Sequence, residues 1–182
     1  MTATAIAVLA PAREGASSAG LTVRTAAAAD ANAIQGLVAR HGAAGHLLPR
    51  TEDEIRRHAA RFLVIDDGGE IAGCAELAPL GATVAEVRSL VLEARLRGLG
   101  LGRLLVNSLA DEARAAGFRF VCAFTHDPGY FARLGFSLVP HAWLPGKIGL
   151  DCAGCALFRR CGQSAMRLVL DDAPAARRGA AA

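Results

Sequence analysis

The stretch Ser89-Leu-Val-Leu-Glu-Ala-Arg-Leu-Arg-Gly-Leu-Gly-Leu-Gly-Arg-Leu-Leu105 decides how the chain is read. An apolar run, a basic glycine-rich segment and a leucine-rich run follow one another, which is the pattern of a strand, a tight loop and a helix. Gly98, Gly100 and Gly102 leave the loop backbone without side-chain cover, so several N–H groups can turn towards one anion. A helix starting near Gly102 adds its own unpaired N–H groups and the positive end of its dipole. Arg95, Arg97 and Arg103 add charge nearby. Together these make a phosphate cradle. The loop lacks the Gly-Lys-Ser/Thr ending of a nucleoside triphosphate loop, and its glycines do not fall in the G-x-G-x-x-G spacing of a dinucleotide fingerprint.

The totals narrow what the cradle can serve. The 182 residues suit one domain with a single core. Hydrophobic residues at 53% and charged residues at 20% describe a globular chain. A net charge of +3 gives no case for nucleic acid as main partner but suits an anionic cofactor or a small acid. No apolar run approaches the roughly 20 residues of a membrane span, so no membrane partner is expected. The run Thr2–Ala10 has no basic residue before it, as a signal peptide would, and the chain is read as cytoplasmic. Five cysteines, three of them late, do not make a secreted disulfide framework.

Residues 1–20 are Ala/Ser/Gly-rich without a sustained period and are expected to be a disordered leader, as is the tail 171–182. A single domain is expected over 21–170. Leu21–Arg24 reads as a strand, followed by a helix capped by Asp30 and ended by Gly42. Thr51-x-x-Glu54 is a capping box for a second helix, Glu52 to Ala60. Phe62–Ile65, the turn Asp66–Gly69 and Ile71–Leu77 form a β-hairpin. A strand over Ala85–Leu92 leads into the loop. The helix after it carries Leu101, Leu105, Leu109 and Ala113 at i, i+4 spacing and stops at Gly117. Then come a strand over Phe118–Phe124, a short helix over Pro128–Leu134, and a last strand near Ala165–Leu170. This order implies an α/β fold of the α+β kind, with a mixed, partly antiparallel sheet flanked by helices.

Three segments now resemble the GNAT acyltransferases. The loop Arg97-x-x-Gly100-x-Gly102 matches the family's Q/R-x-x-G-x-G/A, preceded by Glu86–Leu92. The helix ending at Gly117 and its following strand come second. Third is Tyr130-Phe-Ala-Arg-Leu-Gly-Phe136, similar to the "YxxxGF" helix-to-strand corner. The resemblance covers residues 21–170 and implies acetyl-CoA as co-substrate, with a sheet splayed at the cofactor cleft. Pyrophosphate would be held by Arg97, Gly98, Leu99, Gly100, Leu101, Gly102 and Arg103. The pantetheine arm would lie along Leu90, Val91 and Leu92, with the Leu92 backbone polarising the thioester carbonyl. The position that often carries a thiolate-protonating Tyr is Phe131 here, and Tyr130, one residue early, is about 100° away on a helix. Phe131 is therefore counted with the cofactor residues, and the general acid stays open.

The tail Leu144-Pro-Gly-Lys147, Asp151-Cys-Ala-Gly-Cys155, Phe158, Cys161 and Gln163–Met166 resembles short, stand-alone bacterial N-acetylglutamate synthases, with Gln163 in place of the usual Glu. This resemblance implies acetylation of the α-amino group of L-glutamate, the first step of arginine biosynthesis. Two acceptor carboxylates call for cationic partners: Arg88 first, Lys147 second, Arg50 and His46 after them. Glu86, eleven residues before Arg97, matches the glutamate that some members use as general base through water; an ion pair with Arg88 is the alternative. Arg88 is expected to share one strand face with Glu86 and Leu90. Cys152, Cys155 and Cys161 have the spacing of a zinc knuckle without a fourth ligand, so three reduced packing thiols are the favoured reading over zinc. Rival functions are acetylation of another small amine, such as phosphinothricin or its arsenical analogue, and a non-catalytic acyl-CoA sensor or Cys-cluster interaction module. Homodimerisation stays open.

Overall fold

The computed structural model describes residues 6–7, 20–42 and 47–170. The chain divides into two compact units: residues up to Leu77 with Val87–Asn107, and Ala78–Glu86 with Ser108 onward. The expected single span 21–170 thus holds two units, each built from two separate stretches of chain.

The first unit contains strands β1 (Ile6–Ala7), β2 (Leu21–Thr25), β3 (Phe62–Asp67), most of β4 (Glu70–Pro79) and the second part of β5 (Val84–Leu92), in that spatial order. β1 to β4 pair antiparallel. The pairing of Ile6 with Val23 and Ala7 with Thr22 places a short strand inside the stretch expected to be leader. β3 and β4 make the expected hairpin around Gly68-Gly69. Helices α1 (Ala31–Gly42) and α2 (Glu52–Arg57) supply the other layer. Ile34, Leu37 and Val38 of α1 and Ile55 of α2 pack with Phe62, Val64, Ile71, Cys74 and Val91 in one apolar cluster.

Two helix starts differ from the sequence reading. Asp30 is not an N-cap. It closes a 3-10 turn, where its carboxylate accepts the Ala27 N–H at 2.7 Å and grips the Arg24 guanidinium. At α2, the Thr51 hydroxyl accepts the Glu54 N–H at 3.2 Å as expected, but the Glu54 carboxylate turns to arginines. The helix stops at Arg57, three residues short, where the chain re-forms as a 3-10 turn over Ala59–Arg61.

The second unit orders the first part of β5, then β6 (Phe120–Thr125), β8 (Ser164–Val169) and β7 (Ser137–Val139). β5 pairs with β6 in parallel, while β6–β8 and β7–β8 are antiparallel. The sheet is thus mixed and mostly antiparallel. β7 was not read from sequence; three residues before Pro140 carry too little pattern. Cys122, Val139, Leu144 and Ala165 form this unit's cluster, with Leu80, Val84 and Phe124 against it.

Helix α3 (Leu101–Ala115) buries Leu101, Leu105, Leu109 and Ala113, the face read from its spacing. It ends in a Schellman motif: Phe118 N–H reaches Ala113 C=O and Gly117 N–H reaches Arg114 C=O. Helix α4 (Pro128–Ala132) is capped by Asp127 and ends the same way. Phe136 N–H bonds Phe131 C=O, and Gly135 N–H bonds Ala132 C=O. The apolar contact that accompanies such an end is Phe131 on Phe136, edge to face with centroids 5.2 Å apart. The "YxxxGF" corner is therefore a helix C-cap, and Phe131 is buried as its packing residue.

Candidate active site

Strand β5 carries the first departure from simple strand geometry. Ser89 has φ 53, in the left-handed region that a residue with a Cβ seldom adopts. Burial still alternates across it, with Val87, Ser89 and Val91 buried and Arg88, Leu90 and Leu92 half-buried. The Ser89 carbonyl faces the buried Cys74 thiol at 3.4 Å. Burial, then the Glu76 carboxylate, pushes that thiol up to about 12, so Cys74 stays protonated.

After Leu92 the chain turns through a 3-10 segment, Ala94–Leu96, into the loop. Gly98 and Gly100 have φ of 77° and 80°, values that glycine adopts without penalty. A Cβ added at either position would meet no atom within 4 Å, so the loop backbone lies open. Leu101 opens α3, whose fifteen residues put a full helix dipole behind the loop. Arg97 is the residue whose side chain looks back into the fold. Its Nε donates to the Leu92 carbonyl, long at 3.4 Å, and its Nη2 lies 3.3 Å from His41 Nδ1.

The same unit assembles a cluster of four charges. Arg88 forks onto Glu76, Nε to Oε2 at 2.7 Å and Nη2 to Oε1 at 3.1 Å. Glu76 is only 1% exposed on strand β4. Glu54 Oε1 takes Arg50 Nη1 at 2.7 Å and lies 3.8 Å from Arg88 Nη2. Arg50 and Arg88, 38 residues apart, thus meet at one carboxylate oxygen. The Arg50 Nε is buried and has no hydrogen-bond partner among the described residues. His46 lies outside the described residues.

The second unit holds a buried ion triad. Lys147 Nζ lies 2.7 and 2.9 Å from the two oxygens of Glu86 and 2.8 Å from Asp151 Oδ2. Glu86 is 2% and Lys147 4% exposed. Burial disfavours the ammonium, but the Glu86 charge and the hydrogen bonds to Asp151 and Glu86 outweigh it and hold Lys147 above its ordinary range. Gly146 makes this reach feasible: a Cβ there would sit 2.2 Å from the Leu80 carbonyl oxygen, so only glycine lets this turn pack so close. Lys147 was expected on an acceptor carboxylate. The structure instead surrounds it with two carboxylates of its own chain, leaving little charge to offer.

Glu76, Asp151 and Glu54 were missed by the sequence reading. Glu76 left a usable signal: a lone charge inside the apolar run Ile71–Leu77 needs a buried counter-ion. Asp151 and Glu54 gave none, because helical and turn acids are ordinary at a surface. Cys152 and Cys155 are half-buried, Cys161 is exposed, and all are free thiols. Burial raises the Cys152 thiol. Among the described residues no group of three or more His, Cys, Asp or Glu side chains is placed to hold a metal ion. Among them, too, no helix is long and apolar enough to cross a membrane.

A profile of the acetyltransferase (GNAT) family matches residues 34–136, from within α1 to the corner at Phe136. The chain belongs to the GNAT family. This GNAT acetyltransferase is 33% identical over 144 residues to an uncharacterised N-acetyltransferase of Chlorobaculum tepidum, covering 79% of this chain and 93% of the relative. It is 27% identical over 127 residues to the amino-acid acetyltransferase of Neisseria meningitidis, covering 69% of this chain but 29% of that one. Its fold matches N-acetylglutamate synthase of Neisseria gonorrhoeae, solved with coenzyme A and N-acetyl-glutamate. There the TM-score is 0.75 at 23% identity, over 83% of this chain and 35% of that chain. The GNAT chain thus spans about a third of the length of the Neisseria proteins it resembles.

Proposed function

We propose that this GNAT acetyltransferase moves the acetyl group of acetyl-CoA to the α-amino group of L-glutamate. The observation that carries the acceptor is the meeting of Arg50 and Arg88 at Glu54, with a buried Arg50 Nε–H that no atom of the described residues accepts. A buried guanidinium donor left without a partner is costly, and a carboxylate is the acceptor it fits best. An amino acid with a second carboxylate can use both arginines. The amino-acid acetyltransferase names among the relatives support the same class of acceptor.

The loop fits the donor. The open backbone of Gly98–Gly100 and the start of α3 supply N–H groups and a dipole for a pyrophosphate. Arg103, on the first turn of α3, adds positive charge. Leu90–Leu92 would hold the pantetheine arm, with the Leu92 N–H directed at the thioester oxygen. Acetyl-CoA contributes the activated acyl carbon. The chain's own work is to hold amine and acyl carbon together, which alone is a large part of the rate in such transfers. Glu86 accepts the ammonium proton through water, and Lys147 keeps that carboxylate ionised and fixed rather than binding acceptor. As nitrogen bonds to carbon, the sulfur leaves with the C–S electron pair. Phe131 has no proton to give, so the thiolate takes one from solvent.

Two experiments follow. A steady-state acceptor screen with acetyl-CoA is expected to release CoA thiol with L-glutamate, and not with L-aspartate or neutral amino acids. Turnover only with a phosphinothricin-like amino acid would replace the proposed acceptor; saturable CoA binding with no turnover would make the protein a sensor. For the loop, Gly100→Ala forces a side chain into φ 80°. It is expected to cost about 1 kcal/mol of stability and to raise the KM for acetyl-CoA while leaving that for the acceptor unchanged.

A further inference from the structure

Arg97 is the signature cation of the loop, and although it is exposed its guanidinium is engaged by the chain itself. Nε donates to the Leu92 carbonyl and Nη2 reaches His41 Nδ1. An arginine has no lone pair, so Nδ1 must be the acceptor and the imidazole proton sits on Nε2. That nitrogen faces Glu93 Oε2 at 3.6 Å. The other oxygen of Glu93 takes Arg40 Nη2 at 2.8 Å. Arg40, then the local charges including His41, holds the Glu93 carboxyl below its usual range, so it stays an anion while imidazoles titrate. The charged groups facing the imidazole are Glu93 and Arg97 from the β5–α3 connection, with Arg40 from its own helix. The imidazole is thus a link between the last turn of α1 and the loop entry, proton side to Glu93 and lone-pair side to Arg97.

We propose that His41 is a positioning residue for the donor site: by accepting the Arg97 hydrogen bond it fixes the entry of the phosphate loop, and protonation of Nδ1 removes that support and weakens CoA binding. This rests on the reading of Gly98–Gly102 as the CoA loop. The sign follows from the donor count. In the protonated imidazole both ring nitrogens carry hydrogen, Nε2–H still meets the Glu93 anion, and Nδ1–H points at a guanidinium it cannot bond. Arg97 loses a partner and gains a like charge. Affinity is therefore highest with the imidazole neutral and is lost with it protonated. Arg97 acts here as a strut holding the chain, not as a side-chain ligand of phosphate.

The test is calorimetric titration of CoA into the wild-type protein, His41→Asn, His41→Ala, Arg97→Ala and Arg97→Lys between pH 5.5 and 8.5. Asparagine keeps an acceptor oxygen near Nδ1 but does not titrate. CoA's own terminal phosphate titrates near about pH 6, so each comparison is made between proteins at one pH. Wild type and His41→Asn are expected to agree at pH 8.5 and to separate by about three- to tenfold at pH 5.5, the wild type binding more weakly. His41→Ala is expected to be weak at every pH, and Arg97→Lys to resemble Arg97→Ala because it keeps charge without the fork. If Arg97→Ala weakens CoA but wild type and His41→Asn coincide at every pH, the role of His41 is overturned and the loop reading stands. If Arg97→Ala binds CoA like wild type, the strut and the role of His41 fail together, while the loop reading is decided separately by Gly100→Ala, whose unchanged CoA affinity would overturn it. Arg97→Lys binding as wild type would show that charge, not the strut, matters.

Discussion

Lys147→Met is expected to destabilise the protein by about 3–5 kcal/mol and to lower its Tm by roughly 10 °C. The size comes from what is left behind. Glu86, 2% exposed, loses the ammonium that meets both its oxygens, and Asp151 loses the same partner. A buried carboxylate without a counter-ion must take up a proton or admit water, and either is costly. The remedy separates folding from chemistry. In Glu86→Gln/Lys147→Met the fully buried charge is gone and only the less buried Asp151 carboxylate lacks the ammonium, so most of the lost stability is expected to return, since apolar and neutral replacements of buried pairs are often tolerated. Activity is not expected to return, because the proposed base has been removed. Thermal melts of the two proteins beside their kcat values check both halves. A double variant that regains stability and keeps near-wild-type kcat would remove Glu86 from the mechanism.

Arg88→Ala is expected to show a comparable loss of about 3–5 kcal/mol, because it strands Glu76. A simple Arg88 variant therefore cannot report on the acceptor. The informative protein is Glu76→Gln/Arg88→Met, in which the pair leaves together. It is expected to fold close to wild type, to raise the glutamate KM by about tenfold or more, and to leave the acetyl-CoA KM within about twofold. If both constants stay at wild-type values in a well-folded double variant, Arg88 is only the counter-ion of Glu76, and Arg50 would have to carry the acceptor.

The parts of this protein that were legible in sequence are those written in the backbone of a few adjacent residues. Gly98 and Gly100 need a left-handed conformation, and so do Gly117 and Gly135, whose two Schellman ends fix where α3 and the corner helix stop. The face of α3 followed from its leucine spacing because one side of a helix must find cover. What escaped was decided by which side chain claimed which partner. Asp30 looked like a cap until Arg24 claimed it. Lys147 looked like a free cation until Glu86, 61 residues earlier, took its charge. Glu76 with Arg88, twelve residues apart, is a pairing that no local period encodes. Ser89 gave no warning at all: serine is common in strands, and its left-handed backbone is imposed by its surroundings.

The family came from the loop and the corner, and the acceptor rests on the arginines. The most direct test of that acceptor is a competition in one tube. L-glutamate, L-glutamine, L-aspartate and phosphinothricin are offered in equal amounts with limiting acetyl-CoA, and the products are weighed by mass spectrometry. N-acetyl-L-glutamate as the dominant product is the predicted result. A different acetylated product in excess, or intact acetyl-CoA beside a protein that binds CoA, would contradict it.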